Sequence, residues 1–154
     1  MTDTAYAIRQ ARPRDTRSAM RLAEATFVPL TAQIGGEKWL GRVDYGLAAY
    51  DGTLWLLETE KQVASMIRLW ETPDRLDLYL LAVAPPFQGR GYARALLAFA
   101  EERARQRGFG AMRLQVPEKL PEMMAFYQRI GFAETSRRNV EGIVLVDMDK
   151  ALRA

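Results

Sequence analysis

The sequence predicts a mixed α/β fold, in which helices pack against a central sheet. Residues 46–70 are typical of antiparallel strands in series, separated by short polar turns. Two strand–helix units follow, at 78–108 and 111–131. Strands in series that are followed by strand–helix units indicate one sheet with both antiparallel and parallel pairs.

Length and composition indicate one globular domain over residues 1–154. A hydrophobic content of 49% and a charged content of 27% are ordinary for such a domain. The net charge of +3 is spread along the chain, so it is weak evidence for a nucleic-acid partner and suits a protein that binds a polyanionic ligand. We therefore expect no nucleic acid among the partners.

The chain contains no Cys and no His. Disulfides, thiolate nucleophiles, histidine bases and zinc sites of the usual N/S kind are thereby excluded, and we expect no metal site. The first ten residues lack a basic segment followed by an apolar one, and no apolar run reaches about 18 residues. We expect no signal peptide, no membrane span and a cytoplasmic location.

The first elements are a strand and one or two helices. A short strand is predicted at Thr4–Ala11. Asp15 is a favourable N-cap for a helix that runs to about Thr26. Pro29 is expected to begin a second helix near Leu30–Ile34.

The middle of the chain predicts antiparallel strands from Gly46 onward. Asp51-Gly52 is a hairpin-type turn. Strands at Thr53–Thr59 and Val63–Trp70 flank a short polar turn, and a loop then leads into a strand at Leu76–Val83.

The C-terminal part predicts a further strand–helix unit and two closing strands. Ala111–Val116 forms the strand, and the helix has Pro121 in its first turn and ends at Gly131. A return strand begins at Phe132, and Ile143–Met148 forms the last strand.

The strand–turn–helix unit at 78–108 has the features of an anion site. Its glycine turn, Gln88–Gly91, precedes a helix whose first N–H groups lack partners and whose dipole is positive at that end. Arg90 and Arg94 add positive charge there. A pyrophosphate cradle and an ordinary loop that needs glycine for its geometry alone both fit this pattern. No Gly-Lys-Ser/Thr sequence follows the turn, and Arg94 stands where a dinucleotide fingerprint needs Gly or Ala, so two common phosphate loops are excluded.

Two motifs resemble those of the GNAT superfamily of N-acetyltransferases. The acyl-CoA-binding motif of that family is Gln or Arg, two residues, Gly, one residue, then Gly or Ala, and residues 88–93 match it. The family also commonly carries an aromatic residue or Leu, then Tyr, three residues and Gly-Phe, which Phe126, Tyr127, Gly131 and Phe132 match. With the strand order, the resemblance covers nearly the whole chain.

The resemblance implies a fold and a cofactor. The fold is a single domain with a mixed, mostly antiparallel sheet of about six or seven strands and about four helices. Two splayed parallel strands, 76–83 and 111–116, are expected to hold the pantetheine arm of acetyl-CoA. The implied cofactor-binding residues are Leu81, Ala82, Val83, Gln88, Gly89, Arg90, Gly91, Tyr92, Ala93, Arg94 and Tyr127.

The resemblance also implies the chemistry, which is direct transfer of an acetyl group from acetyl-CoA to a primary amine in a ternary complex. The Val83 N–H is expected to polarise the thioester carbonyl, and Tyr127 to protonate the departing thiolate as general acid. A core tyrosine without a catalytic role is the alternative for Tyr127. The general base stays open among Glu24, Glu118, Tyr79 and water.

The acceptor cannot be read from the sequence, and both a small molecule and a protein amino group are open. Phe27, Trp39 and Tyr45 are candidate pocket residues by the same resemblance. Leu120 stands where many relatives have an Asn that helps to hold the pantetheine arm. A homodimer formed through the last strands is also implied.

Two alternatives concern the function as a whole. One is a catalytically silent acyl-CoA-binding module. The other is an acyltransferase that uses a longer acyl-CoA, for which Met112, Met123 and Met124 are candidate pocket residues.

Overall fold

The computed structural model describes residues 5–35 and 43–152. Within this part of the chain, seven strands form one sheet in the order β1-β2-β3-β4-β5-β7-β6. The strands are β1 Ala7–Gln10, β2 Leu54–Thr59, β3 Gln62–Glu71, β4 Leu76–Val83, β5 Ala111–Pro117, β6 Ala133–Val140 and β7 Ile143–Ala151, and the α-helices are α1 Thr16–Ile34, α2 Tyr45–Tyr50, α3 Tyr92–Gln106 and α4 Pro121–Ile130. β4 and β5 are parallel, and the other neighbouring strands are antiparallel. The predicted mixed, mostly antiparallel sheet is confirmed.

The described core consists of two apolar clusters, one on each face of the sheet. Leu56 and Leu57 are neighbours in β2 and belong to different clusters, because successive side chains of a strand point to opposite faces. The larger cluster contains the apolar face of α3 and part of α4, and the smaller one contains residues of α1 and α2.

Helix α1 is longer than the sequence predicts. It runs without interruption from Thr16 to Ile34 with Pro29 inside it, whereas we expected an end near Thr26 and a new helix after Pro29. Proline removes one helical hydrogen bond. Residues on both sides of Pro29 are buried: Leu22 belongs to the smaller apolar cluster and Ile34 to the larger one, so both halves of the helix are held by packing. Tertiary packing therefore outweighs the local cost.

Two further local features differ in part from the prediction. Asp15 stands at the N-cap of α1 as predicted, but its carboxylate makes no bond to an N–H of that helix and instead accepts hydrogen bonds from the Arg12 N–H and from the Arg9 guanidinium. Residues 45–50 form α2 and not a strand. The Asp44 carboxylate accepts the Leu47 N–H at 2.9 Å, which caps this short helix, and Ala48 is buried in the core.

Strands β4 and β5 separate soon after they meet, which confirms the predicted splay. Within the described strands they pair at Leu76–Met112 and Asp77–Arg113 and then diverge. A β-bulge marks β4 just beyond this point: Leu80 has a φ of 57°, and Leu80 and Leu81 together face one residue of β3.

The bulge changes which side chains of β4 face α3. Before it, Leu76 and Leu78 belong to the larger apolar cluster, and after it Leu81 and Val83 do, while Leu80 packs against the smaller cluster. One extra residue thus reverses the alternation along the strand.

Arg9 of β1 forms ion pairs with Glu58 of β2 and with Asp15 at the start of α1. Its guanidinium donates to Asp15 at 2.9 Å and to Glu58 at 2.8 Å. These hydrogen bonds hold the pKa values of both carboxyl groups below their ordinary range. Each carboxylate therefore contributes stability above its unfolded-state pKa of about 4, and the contribution is lost as the pH falls through the lower folded-state pKa.

We expect Arg9→Met to lower the free energy of unfolding by about 1–2 kcal/mol at pH 7, since the partners are only partly shielded from solvent. The loss should shrink as the pH falls towards 3. Urea unfolding at both pH values measures this. The control is Arg137→Met. Arg137 lies on an exposed strand and also pairs with two carboxylates, those of Glu118 and Glu134, but its removal should lower the free energy of unfolding much less. A loss that stays equal at pH 3 would assign the effect to packing.

Candidate active site

A cleft of about 650 Å³ lies where β4 ends and α3 begins. Its walls come from the second half of α1, the end of β4, the glycine turn, the first turn of α3 and one side of α4. The lining residues that were predicted to bind the cofactor are Leu81, Ala82, Val83, Gln88, Gly89, Gly91, Tyr92, Ala93 and Arg94.

The N-terminus of α3 presents unpaired main-chain donors to this cleft. Gly91 is the N-cap residue with a φ of 85°, and the first helical bond runs from the Ala95 N–H to the Gly91 carbonyl. The N–H groups of residues 92–94 therefore have no partner inside the helix. A side chain placed on Gly89 or Gly91 would meet no heavy atom of the described protein within 4 Å, so an anion can approach both positions closely. The cradle fits a pyrophosphate.

At the end of β4, the main-chain N–H and carbonyl of Val83 point away from β3. Val83 stands opposite Ser65, and the Ala84 N–H next to it bonds the Ala64 carbonyl at 2.8 Å. Because main-chain groups alternate in direction along an antiparallel pair, the N–H and carbonyl of Val83 face the gap between β4 and β5. The carbonyl accepts the Gln88 side-chain amide at 3.0 Å, while the N–H faces the gap.

Ala82 has the opposite orientation, because it pairs with Met66 and its carbonyl accepts the Ser65 hydroxyl at 2.7 Å. Its main-chain groups are therefore directed at β3, and Ala82 contributes to the cleft through its side chain.

The two arginines at this end of α3 differ in position. Arg94 lines the cleft, with its guanidinium 5.5 Å from the centre of the Phe126 ring. Arg90 is not among the residues that line it, since its side chain pairs with Glu60 at 3.2 Å and lies over Phe87. Arg94 is thus the better placed of the two to meet a phosphate.

Tyr92 is the buried residue of the turn. It is 3% exposed, and its hydroxyl has no hydrogen-bond partner among the described residues. Its ring packs against Tyr6 and Phe87. Its side chain therefore supports the turn, while its N–H belongs to the cradle.

A second cavity of about 280 Å³ continues from the cleft into the gap between β4 and β5. The two share Phe27, Leu30, Leu81 and Met123. The remaining described lining is Thr31, Ile34, Val43, Tyr45, Leu78, Tyr79, Leu80, Leu97, Leu114, Gln115, Pro117, Leu120, Tyr127 and Leu145. None of these side chains is a carboxylate or a basic amine, and most are apolar.

Tyr127 stands on α4 at this second cavity. It is 7% exposed, and its ring makes edge contacts with Phe126 at 5.3 Å and Phe132 at 5.9 Å. Burial raises the pKa of Tyr127 to about 12. No hydrogen bond joins its hydroxyl to another described residue, so the O–H remains available as a donor at the cavity.

The carboxylates that were considered as bases lie elsewhere. Glu24 is exposed on α1, and Glu118 is exposed and paired with Arg137 at 2.9 Å. Neither belongs to the described lining of the two cavities. Tyr79 does line the second cavity, and its hydroxyl is 3.5 Å from the buried Asp77 carboxylate. Burial, and then the charge of Asp77, raise the pKa of Tyr79.

Some of the residues that were predicted to line the acceptor pocket line the two cavities, and others do not. Phe27 and Tyr45 line the second cavity, and Trp39 lies outside the described residues. Leu120 is buried and adds to the apolar wall of the second cavity. Three methionines were considered for a longer acyl pocket. Met123 lines both cavities, whereas Met112 is buried in the core and Met124 belongs to the lining of neither cavity.

The sequence did not point to Thr31, Gln115 or Leu80 as site residues. Thr31 lies beyond the predicted break in α1, and Gln115 lies on the face of β5 opposite the buried Met112, Leu114 and Val116. Leu80 is placed by a bulge at a non-glycine residue, for which the apolar run offers no signal.

Two further features of the described chain, residues 5–35 and 43–152, concern metals and membranes. No group of three or more acidic side chains is placed to hold a metal ion there. No helix in these ranges is long and apolar enough to cross a membrane.

The family model for an acetyltransferase (GNAT) domain matches residues 31–152, which is most of the chain. The chain belongs to the GNAT family. Members of this family use acetyl-CoA as the acetyl donor, and acetyl-CoA is the cofactor that the cleft beside α3 fits. The domain is thus an acetyltransferase domain by family.

Relatives of known sequence and structure agree with this membership. The chain is 32% identical over 106 residues to a mycothiol acetyltransferase from Beutenbergia cavernae, in a match that covers 66% of this chain and 36% of that protein. This GNAT chain therefore spans about a third of the curated relative.

Solved structures show the same fold at low sequence identity. The paia N-acetyltransferase from Thermoplasma acidophilum, in complex with coenzyme A, has a TM-score of 0.80 at 18% identity, with 97% of this chain and 100% of that chain covered. A GCN5-related N-acetyltransferase from Rhodopseudomonas palustris has a TM-score of 0.80 at 22% identity, with 99% of each chain covered.

Proposed function

We propose that this protein transfers an acetyl group from acetyl-CoA to a primary amine by direct attack in a ternary complex, as a single catalytic domain. The observation that carries the proposal is the meeting of two cavities at Leu81 and Met123, with the Val83 N–H on one side and the Tyr127 hydroxyl on the other. A donor for a developing oxyanion and a donor for a leaving group are thereby supplied from separate elements.

Val83 supplies the electrophilic assistance in this proposal. Its N–H faces the gap and donates to the thioester oxygen, on which negative charge grows as the amine nitrogen bonds the carbonyl carbon. The hydrogen bond between Gln88 and the Val83 carbonyl holds this peptide in place. The main-chain donors of residues 92–94 bind the pyrophosphate and set the position of the thioester.

Tyr127 acts on the leaving group. As the carbon–sulfur bond breaks, its O–H donates to the sulfur, and the proton replaces the lost bond. The apolar cavity disfavours a thiolate and so raises the pKa of the departing thiol from about 8.5 towards that of the phenol, which burial places at about 12, and the proton passes to sulfur as the thiolate forms. The amine loses its proton to water, directly or through Tyr79, and Tyr127 regains a proton from water.

The proposal is tested by incubation with acetyl-CoA and a panel of amines, with free thiol and acetylated amine measured together. Equal amounts of both products support the proposal. Binding of acetyl-CoA without transfer to any amine would support the silent acyl-CoA-binding module in its place.

The same assay has an expected pH profile. The described lining contains no carboxylate, so we expect an alkylamine to react as the neutral species. kcat/KM should then rise about tenfold per pH unit from pH 6 towards the amine pKa of about 10. Tyr127 must stay protonated, and its pKa of about 12 predicts no alkaline loss of kcat below pH 10. A plateau above pH 7 would show that a carboxylate base takes the proton.

A cytoplasmic location and a homodimer stay predictions from the sequence. Cell fractionation and sedimentation of the full chain test them, and neither enters the mechanism above.

A further inference from the structure

The second cavity is much larger than an acetyl group needs. A water molecule takes about 30 Å³ in the liquid, so about 280 Å³ corresponds to roughly nine or ten water-sized atoms. The acetyl group and the thioester sulfur, which the proposed mechanism places beside Tyr127 in this cavity, supply four of them. The cavity therefore has space for about five or six further heavy atoms.

The cavity also reaches the sheet face opposite the cofactor cleft. It shares Val43, Tyr79 and Leu80 with a shallower cavity of about 350 Å³, which Arg68 and Trp70 complete. Trp70 is 47% exposed and Tyr79 is 40% exposed, so this side faces solvent in the described structure. A second substrate can enter here while the cofactor cleft is filled. A pocket for a longer acyl chain would need no such opening.

The lining decides the chemistry of that substrate. The uncharged walls penalise burial of an ammonium or a carboxylate, because no described lining group carries a compensating charge. Apolar surface is favoured there, at about 25 cal/mol per Å² removed from water. Leu120 extends this apolar wall.

We propose that the acceptor is a primary amine with an apolar body of about six to eight heavy atoms, which enters past Val43 and Tyr79 in its uncharged form. About five or six of these atoms lie in the second cavity and the others in the shallower cavity at its mouth. The inference rests on the proposed acetyl transfer and narrows its substrate class. Hexylamine and 2-phenylethylamine are suitable probes. Small polar amines and polyamines are expected to be poor acceptors.

The test is a series of linear amines from ethylamine to octylamine, with kcat/KM corrected for the neutral fraction of each. A buried methylene contributes about 0.8 kcal/mol, so kcat/KM should rise about fourfold per carbon until the cavity is full. Propylamine should exceed the equally long ethanolamine by about tenfold or more. A flat series, or faster turnover of ethanolamine, would overturn the inference while acetyl transfer itself stands.

A matched pair of variants locates the binding site. Val43→Phe narrows the mouth and should lower kcat/KM for hexylamine about tenfold or more, with little change for ethylamine. Val28→Phe makes the same replacement at an exposed position of α1 outside the described lining and should leave the series unchanged. A midpoint shift with acetyl-CoA confirms that each variant is folded. If both variants give the wild-type series, the cavity is not the acceptor site and the inference falls.

Two further readouts separate this inference from its alternatives. Calorimetric titration of the protein–CoA complex with the same amines measures affinity without turnover. Affinity that rises with chain length in the absence of transfer would show an apolar amine site in this cavity, but it would overturn the proposed acetyl transfer and with it the role of the amine as acceptor. Turnover that rises from acetyl-CoA to hexanoyl-CoA while the amine series is flat would assign the cavity to the acyl group and overturn the inference.

Discussion

Replacement of Tyr127 by phenylalanine is expected to lower kcat for acetyl transfer about 10²–10⁴-fold, which is the usual contribution of a general acid. The fold should persist, because the edge contacts with Phe126 and Phe132 are made by the ring. The hydroxyl has no hydrogen bond to another described residue, so its loss leaves no buried partner unsatisfied. Steady-state kinetics at saturating acetyl-CoA measure the change.

The control for this variant is Tyr50→Phe, which removes a hydroxyl from a tyrosine that is 77% exposed on α2. It should keep the wild-type kcat. Calorimetry should give Tyr127→Phe nearly the wild-type affinity for acetyl-CoA, since the cradle on α3 is unchanged. Full turnover by Tyr127→Phe would remove the tyrosine from the mechanism and leave it as a core residue.

Replacement of Gly91 by glutamate is expected to abolish acetyl-CoA binding. The residue has a φ of 85°, which side chains rarely adopt, and the new carboxylate would lie at the open end of α3 where the pyrophosphate binds. Two like charges at one site cost several kcal/mol, so we expect affinity to fall about 100-fold or more.

Thermal unfolding measures this loss. Acetyl-CoA at about 100 times its dissociation constant stabilises the wild type by about 2.7 kcal/mol, which raises the midpoint by about 5–10 °C in a domain of this size. The shift should vanish in Gly91→Glu. Gly108→Glu is a matched control, because Gly108 has a φ of 78° and open space around it but lies just beyond the other end of α3. An equal loss in both variants would assign the effect to strain.

The parts of the fold that sequence reasoning predicted are those with local signals. Leu76–Val83 was predicted with the observed limits, because an apolar run ends at a proline pair and a glycine turn. The end of α4 at Gly131 was predicted because glycine readily adopts the positive φ that often ends a helix. In the site, the glycine turn and Tyr127 were predicted through a family resemblance whose motifs are themselves local. Gly89, Gly91 and Tyr127 line the two cavities, and their roles stay predictions.

The parts that were missed depend on contacts between distant residues. Pro29 is expected to end a helix by its local cost, yet α1 continues because Leu22 before it and Ile34 after it are each buried, in the smaller and the larger apolar cluster. The bulge at Leu80 is set by pairing with β3, which the unbroken apolar run does not encode. The ion pair between Arg90 and Glu60, from the β2–β3 turn, likewise joins residues 30 positions apart and was not predicted, while the role of Arg90 in cofactor binding stays a prediction. The sequence shows that a side chain is charged, but it does not show which partner that side chain will meet.

Because β4 and β5 pair only at their beginnings, the rest of each strand has an unpaired edge inside the sheet. We call these the inner edges, in contrast to the outer edges at β1 and β6. An unpaired strand edge is a template for another chain, and proteins usually protect such edges. On the outside, β6 is protected by exposed charges such as Arg137 and Arg138. The inner edges carry apolar side chains, but α1 and α4 wall them at Phe27 and Tyr127. The protein can thus keep main-chain groups free for a narrow, extended ligand without offering them to a second polypeptide for aggregation.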